Sequence, residues 1–448
     1  MFDRLVPPAL VEAALQQLQA DGVQRGAIVA WLGHNSWDLL ATLVACEKMG
    51  VVLLPLNGRL AAVELAQIIN HAGAGHRMGT PDAERLAAEV LSIAALQPGT
   101  ADGVQDGVHD DDLLLVYTSG TTGAPKGAMH TRAGLQAGAL AAIAAQGLNA
   151  QSRVLAVLPL FHVGGLCIQT LPALAVGAKL RLHPRFDADA WFDAVATWRP
   201  TTTLLVPAVM KALIDHPRWA GADLSSLAFV TSGSQIVPRR LIDAFHAHGV
   251  PVAQVYGATE TGPVSIVLKP DEAMAHAGMT GRPALGVQLW LAEGGEIWLK
   301  APNLMRGYHR SVEPSFDEQG WFHTGDLALQ HEGGFIEVVG RTTELIISGG
   351  ENIHPAEIEQ LVAAMPGVAE CAVVGVPHER WGEVPVLVVV RVAGPSGDRL
   401  QAQDIVAALA PQLARFKLPA RVVFMASLPS TALGKVARAE VRLRLAAA

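Results

Sequence analysis

Cysteine is almost absent. The chain has three in 448 residues, Cys46, Cys167 and Cys371, with no CxxC pair and apolar neighbours around each. That excludes a disulfide framework and a cysteine-rich metal site, suits a reducing compartment, and makes the three core fillers rather than ligands or nucleophiles. Dense Lys/Arg blocks are missing too. With 33 Lys+Arg against 41 Asp+Glu, a formal charge of −8 and a pI near 6.0, there is no electrostatic footprint for nucleic acid or an anionic membrane. The most apolar segments, such as Val384 to Ala393, contain proline or arginine. They fall short of the roughly 20 residues a spanning helix needs, so no integral membrane segment is expected. The opening MFDRLVPPALVEAAL puts an acidic residue and two prolines where an export signal carries its apolar run, and the expected location is the cytoplasm. There is no internal repeat and no low-complexity tract.

What is present points to a layered protein of more than one domain. Half the residues are apolar, enough for a large core. Strand-like runs alternate with helical patterns up to about Tyr256: AIVAWL then SWDLLATLVACEKMG, VVLLPL then AAVELAQIINHA, TTLLVP then AVMKALIDH. Such alternation predicts an α/β fold with largely parallel sheets. The stretch from Leu96 to Asp112, rich in Gly, Asp and Gln, reads as a surface connection. After Thr280, EIWLKA and FIEVVG with glycine-rich turns predict a smaller β region. Beyond Arg341 the texture changes to a compact α+β module of about 100 residues, with helices expected from Pro355 to Ala364 and from Ala402 to Leu413. The expected division is 1–341 as a large domain, 342–343 as a hinge and 344–448 as a small mobile domain.

The run Tyr117-Thr-Ser-Gly-Thr-Thr-Gly-Ala-Pro-Lys126-Gly127 places three glycines, hydroxyl side chains and one lysine directly after the strand-like Leu113 to Val116. Glycines let the backbone approach an anion, hydroxyls and freed N–H groups donate, and Lys126 adds a mobile positive charge, so the run predicts a phosphate-holding loop. A Walker loop needs Gly-Lys followed at once by Ser or Thr. Here Pro125 precedes Lys126 and Gly127 follows it, which disfavours P-loop kinase or GTPase chemistry.

With LPLFHVGG at 158–165, YGATET at 256–261, TGD at 324–326, GRTTELIISGGENIHPAEIE at 340–359 and PSTALGKVAR at 429–438, this loop resembles the adenylate-forming superfamily, in its acyl-CoA synthetase branch. The ordered blocks span nearly the whole chain. The resemblance implies ATP-dependent activation of a carboxylic acid as an acyl-adenylate, then transfer to CoA, with ATP, Mg²⁺ and CoA required. It implies a phosphate cradle of Thr118, Ser119, Gly120, Thr121, Thr122, Gly123 and Lys126. Glu260 is expected on Mg²⁺ with Thr259 on phosphate, Asp326 on both ribose hydroxyls, and Arg341 as a second ribose or phosphate contact. Tyr256 and Gly257 are expected to line the adenine pocket with Ser232, Gly233 and Ser234, although Ser-Gly-Ser-Gln departs from the usual glycine-rich form. Lys435 is implied as an electrostatic clamp on the developing phosphate charge and His162 as a gate beside the acyl pocket. Gly349, Gly350 and Trp381 are placed along the CoA channel. The pivot falls on Thr343, where the family usually has a charged residue. The remaining acyl-pocket candidates, Leu166, Val206, Met210, Ala258, Pro263 and Val264, include no cation to pair with a second carboxylate, so a monocarboxylic fatty or aromatic acid is expected. The start is shorter than in relatives, and a homodimer is an assembly the resemblance allows. The alternatives are a same-fold enzyme that hands its acyl group to a carrier protein, and a degenerate nucleotide-binding protein.

Overall fold

Val, Ile and Leu concentrate in short runs bounded by Gly, Pro, Asn and Asp, and in the computed structural model these become the strands of four sheets. The structure describes residues 2–96, 108–118, 126–349, 351–430 and 436–446. The first sheet runs, edge to edge, Gly307–Tyr308, Lys126–Thr131, Asp112–Thr118, Val52–Pro55, Ile28–Leu32, His76–Gly79. The last four of these are parallel, and Asp112–Thr118 pairs antiparallel with Lys126–Thr131. The second sheet runs Arg282–Pro283, Ile266–Leu268, Val252–Tyr256, Phe229–Gly233, Thr202–Leu205, Arg153–Ala156, Lys179–Leu182. Its last five strands are parallel. The expected α/β layering is therefore present, with antiparallel strands added at one edge of each sheet.

Helix boundaries follow local chemistry. Ser36 caps Trp37–Met49 by accepting from the Leu39 N–H, and Gly50 closes it at φ 67°. A mixed core lies between the first sheet and Trp37–Met49 and takes in Leu160, Val163, Leu166 and Leu171. A second core packs Trp191, Phe192, Leu213 and Phe245 against the second sheet.

The β region after Thr280 is an antiparallel sheet, Gln288–Leu291, Glu296–Lys300, Phe322–Gln330, Ile336–Arg341. The last module is built on the long hairpin Val368–His378/Gly382–Arg391, with Arg421–Met425 parallel to its second strand and Pro355–Ala363 packed on it. One expected helix is shorter than its apolar pattern. Ala402–Leu409 ends before Pro411, which has no N–H to donate to the Ala407 carbonyl. Between this module and the third sheet lies a single 3₁₀ turn, Thr342–Glu344, with Thr342 and Thr343 exposed. No helix of the described residues is long and apolar enough to cross a membrane.

Candidate active site

The glycine-hydroxyl run starts on one strand of a hairpin and ends on the other. Thr118 pairs with Lys126 and Tyr117 with Gly127, so the two ends of the run lie side by side. Ser119, Gly120, Thr121, Thr122 and Gly123 lie outside the described residues, as do Gly350 and Lys435. The base of the hairpin is fixed from two sides. Arg306 forks onto Asp112, whose side chain is wholly buried, with Nε–Oδ1 at 3.0 Å and Nη2–Oδ2 at 3.2 Å. The His309 N–H donates to the Gly127 carbonyl at 2.7 Å.

That same segment brings Tyr308 beside Lys126, because Gly307–Tyr308 pairs with Lys126–Thr131 as the sheet's edge strand. The Lys126 ammonium stands 5.1 Å from the centre of the Tyr308 ring, and the Tyr308 hydroxyl donates to Glu260 Oε1 at 2.9 Å. Burial, with the Glu260 charge added, raises the Tyr308 phenol well above its ordinary range, so it stays a donor at any working pH.

Glu260 sits in the one-turn segment Thr259–Thr261, which is pinned from within and from outside. The Ala258 N–H donates to Thr261 Oγ1 at 2.8 Å and the Met305 N–H to the Glu260 carbonyl at 2.8 Å. The buried Asn303 amide donates to the carbonyls of Thr261 at 2.8 Å and Val264 at 3.1 Å. Gly262 closes the turn at φ 73°, and a Cβ there would meet the Asn303 carbonyl oxygen at 2.0 Å. Thr259 is buried in this turn.

A third group forms at the carboxyl ends of parallel strands, where open α/β sheets leave a crevice. Phe229–Gly233 and Val252–Tyr256 end side by side, placing Ser232, Gly233 and Ser234 next to Tyr256 and Gly257. Ser232 is buried with its hydroxyl unpaired, and exposed Ser234 adopts φ 70°, a conformation uncommon outside glycine. Gly233 has no room for a Cβ, which would lie 2.2 Å from the Val255 carbonyl oxygen. From here the Tyr256 hydroxyl donates to Asp326 Oδ2 at 2.6 Å, and Arg341 Nε donates to Asp326 Oδ1 at 2.8 Å. Asp326 is 5% exposed. Burial and the Asp326 charge push the Tyr256 phenol far above its ordinary range, and that same carboxylate raises Arg341. A carboxylate has about four lone-pair sites, and the two donors leave one on each oxygen.

His162 has a local duty as well as its expected place beside the acyl pocket. Its Nδ1 accepts from the Gly164 N–H at 3.1 Å, capping the short helix Val163–Gly165. The next five residues, Leu166–Thr170, form a π-helical turn. Pro172 has no N–H for the Ile168 carbonyl, and Gln146 Nε2 donates to that carbonyl instead at 2.8 Å. Of the other pocket candidates, Leu166 packs into the core of the first sheet, while Met210 and Val264 pack into that of the second.

Gly349 and Trp381, 32 positions apart in sequence, are neighbours. The Gly349 N–H donates to the Trp381 carbonyl at 2.8 Å, at φ 62°, and a Cβ would lie 2.9 Å from the indole. Trp381 is 43% exposed with the Arg380 guanidinium 4.5 Å from its ring centre.

Sequence reasoning missed Tyr308, Asn303 and Arg306. A signal existed for the first. The chain has three tyrosines, and Tyr117, Tyr256 and Tyr308 all border this region. Among the described residues no cluster of three or more His, Cys, Asp or Glu could hold a metal. A single carboxylate, Glu260, suits Mg²⁺, which binds through one or two carboxylates plus substrate phosphates.

Residues 9–309 match the family model of AMP-binding enzymes, and residues 357–435 match that of the AMP-binding enzyme C-terminal domain. An indoleacetate–CoA ligase of Aromatoleum aromaticum is 44% identical over 97% of this chain and 91% of its own. A feruloyl-CoA synthase of an Amycolatopsis species is 39% identical, over 95% and 90%. Among solved structures, ATP-bound MatB of Rhodopseudomonas palustris superposes with a TM-score of 0.86 at 29% identity, covering 97% of this chain and 92% of that one. The o-succinylbenzoate CoA synthetase of Bacillus subtilis, with its acyl-adenylate intermediate, gives 0.84 at 28%, over 97% and 92%. The ordered blocks, the layered sheets and these likenesses agree, and the chain belongs to the AMP-binding, adenylate-forming enzyme family.

Proposed function

We propose that the protein is an ATP-dependent ligase joining an aryl or arylalkyl monocarboxylic acid to CoA. The observation that carries the reading is the meeting of Lys126 and Glu260 through Tyr308 and of Tyr256 and Arg341 on Asp326. In the first step the substrate carboxylate attacks the α-phosphorus of ATP, the bond to the bridging oxygen breaks, and pyrophosphate leaves. In the second the CoA sulfur attacks the acyl carbon, loses its proton, and AMP leaves.

In this reading Thr118, the hydroxyls and amides of residues 119–123, and Lys126 hold the β- and γ-phosphates. Thr259 adds a hydroxyl, and Glu260, oriented by Tyr308, holds Mg²⁺. The ion supplies charge neutralisation on the phosphates. Asp326 offers its remaining lone pairs to the ribose hydroxyls, with Arg341 beside it. The crevice formed by Ser234, Tyr256 and Gly257 accepts the adenine. Lys435 clamps the developing charge, and Lys435→Ala is expected to cut adenylation by about 100-fold or more, the order of what loss of a preorganised charge costs. His162 borders the acyl group, and Gly349, Gly350 and Trp381 border the pantetheine arm after the small domain turns at Thr343. The enzyme works in the cytoplasm, where its ATP and CoA are found.

An apolar acyl site with no lysine or arginine among its candidates favours a single carboxylate. The 44% and 39% identical relatives, an indoleacetate–CoA ligase and a feruloyl-CoA synthase, favour an aromatic acid. The test is pyrophosphate release over short, medium, long-chain and aromatic acids, each with and without CoA, with products identified by mass spectrometry. Aryl-CoA formed from one class supports the reading. Pyrophosphate in a single burst, unaffected by CoA, points to another acceptor and refutes it.

A further inference from the structure

In the small domain one guanidinium is shared by two carboxylates that lie 94 and 79 positions before it in the chain. Arg438 Nη2 donates to both oxygens of Glu359 at 2.8 Å, and Arg438 Nη1 reaches Glu344 at 3.2 Å. The Arg438 and Glu344 side chains are 22% and 29% exposed, and that of Glu359 is 18%. Water therefore screens this network less than it would a surface pair. Glu359 is further fixed by the Val373 N–H, which donates to its Oε1 at 2.7 Å. The partners come from three places. Glu359 lies on the helix Pro355–Ala363, Arg438 opens the C-terminal helix Arg438–Ala446, and Glu344 ends the turn Thr342–Glu344 that joins the two domains.

Arg438 also stands at one foot of a loop. Ser430 and Val436 form a bridge, and the Ala437 N–H donates to the Pro429 carbonyl at 2.9 Å, so the chain leaves at 430 and returns at 436 through one closed base. Lys435 is the last residue inside it. Glu344 and Arg438 are 94 residues apart in sequence, yet in space a single side chain links the interdomain turn to the foot of the lysine loop.

We propose that Arg438 is a positioning residue. By bonding Glu344 and Glu359 together, it locks the base of the loop that carries Lys435 in register with the hinge, so that rotation at 342–343 moves that base as one rigid lever. This rests on the clamp role of Lys435 given above. A catalytic charge displaced by about 1 Å costs about 100-fold in rate, so slack in the lever acts on adenylation, which needs Lys435, and spares thioester formation, which does not.

The experiment separates the half-reactions. Acid-dependent pyrophosphate–ATP exchange reports adenylation, and thioester formation from synthetic acyl-AMP and CoA reports the second step. Glu344→Gln keeps the shape and leaves the Glu359–Arg438 pair intact. Arg438→Lys keeps the charge but cannot fork between two carboxylates. Both are expected to fold with a near-wild-type melting temperature and to lose about tenfold in exchange, with thioester formation changed less than about twofold. Amide hydrogen exchange at residues 436–438 is expected to quicken in both, which a defect elsewhere in the site would not produce. Equal loss in both half-reactions, or unchanged exchange kinetics and unchanged amide protection, overturns the proposal. Lys435→Ala is measured alongside. If it leaves adenylation intact, the clamp reading fails in its own right; a strong effect there with none in the other two variants sinks the lever alone.

Discussion

Asp326→Asn tests the nucleotide side of the site most directly. The carboxylate accepts from Tyr256 at 2.6 Å and Arg341 at 2.8 Å and is 5% exposed, so its charge is held in place by two donors before any ligand arrives. An asparagine keeps the volume but has one acceptor oxygen facing two donors. Its oxygen is expected to turn to the enclosed Tyr256, while Arg341, with its side chain 46% exposed, relaxes into solvent. The loss of folding stability is then modest, about 1–3 kcal/mol. The ligand pays more. One charge-assisted hydrogen bond from a ribose hydroxyl is worth about 1.5–3 kcal/mol, and about 1.4 kcal/mol is tenfold, so KM for ATP rises about 10- to 150-fold. KM for the acid stays near wild type. The assay is pyrophosphate–ATP exchange with ATP, 2′-deoxy-ATP and 3′-deoxy-ATP. The native enzyme is expected to discriminate against at least one deoxy-nucleotide, and the variant to lose that discrimination because the interaction is already gone. A variant with unchanged KM for ATP, or one that still discriminates as the native enzyme does, refutes the reasoning.

Other perturbations separate the remaining parts. Glu260→Gln removes the carboxylate proposed for Mg²⁺ and is expected to lower exchange by about 100-fold or more and to raise the Mg²⁺ concentration needed for half activity; an unaltered Mg²⁺ titration would argue against it. Gly349→Ala puts a methyl 2.9 Å from the Trp381 ring at φ 62°, so thioester formation is expected to fall while adenylation holds, as read in the two half-reaction assays. His130 is 1% exposed, its Nε2 has no partner, and burial lowers it from 6.5 to about 4. The unfolded chain takes up this proton at a higher pH than the folded one. The neutral imidazole's contribution is therefore complete above about pH 6.5 and is lost as pH falls toward 4, by about 3 kcal/mol. Denaturation midpoints measured from pH 7 to 4 should fall more steeply for the native protein than for His130→Leu.

Much of the fold was legible because its signals are local. AIVAWL, VVLLPL and TTLLVP each became a buried strand, and the helix after the first begins and ends at recognisable caps, Ser36 and Gly50. The helix expected to reach Leu413 stopped at Leu409, since Pro411 outweighs an apolar pattern that carries on beyond it. Candidate site residues were legible for a different reason: phosphate chemistry calls for glycines, hydroxyls and a lysine in one short run, and such runs survive as words in the sequence.

By itself, the order of residues determined the α/β layering, the two-part organisation and the short motifs that carry charge and hydroxyl groups. Tertiary structure alone decided who meets whom. Tyr308 reaches Glu260 across 48 positions, Tyr256 reaches Asp326 across 70, and Arg306 reaches Asp112 across 194. No periodicity of 2 or 3.6 residues encodes such pairings. They follow from which strand becomes the edge of which sheet, and that is settled by burying apolar faces over the whole chain, after which the polar side chains bond to whatever the packing has set beside them.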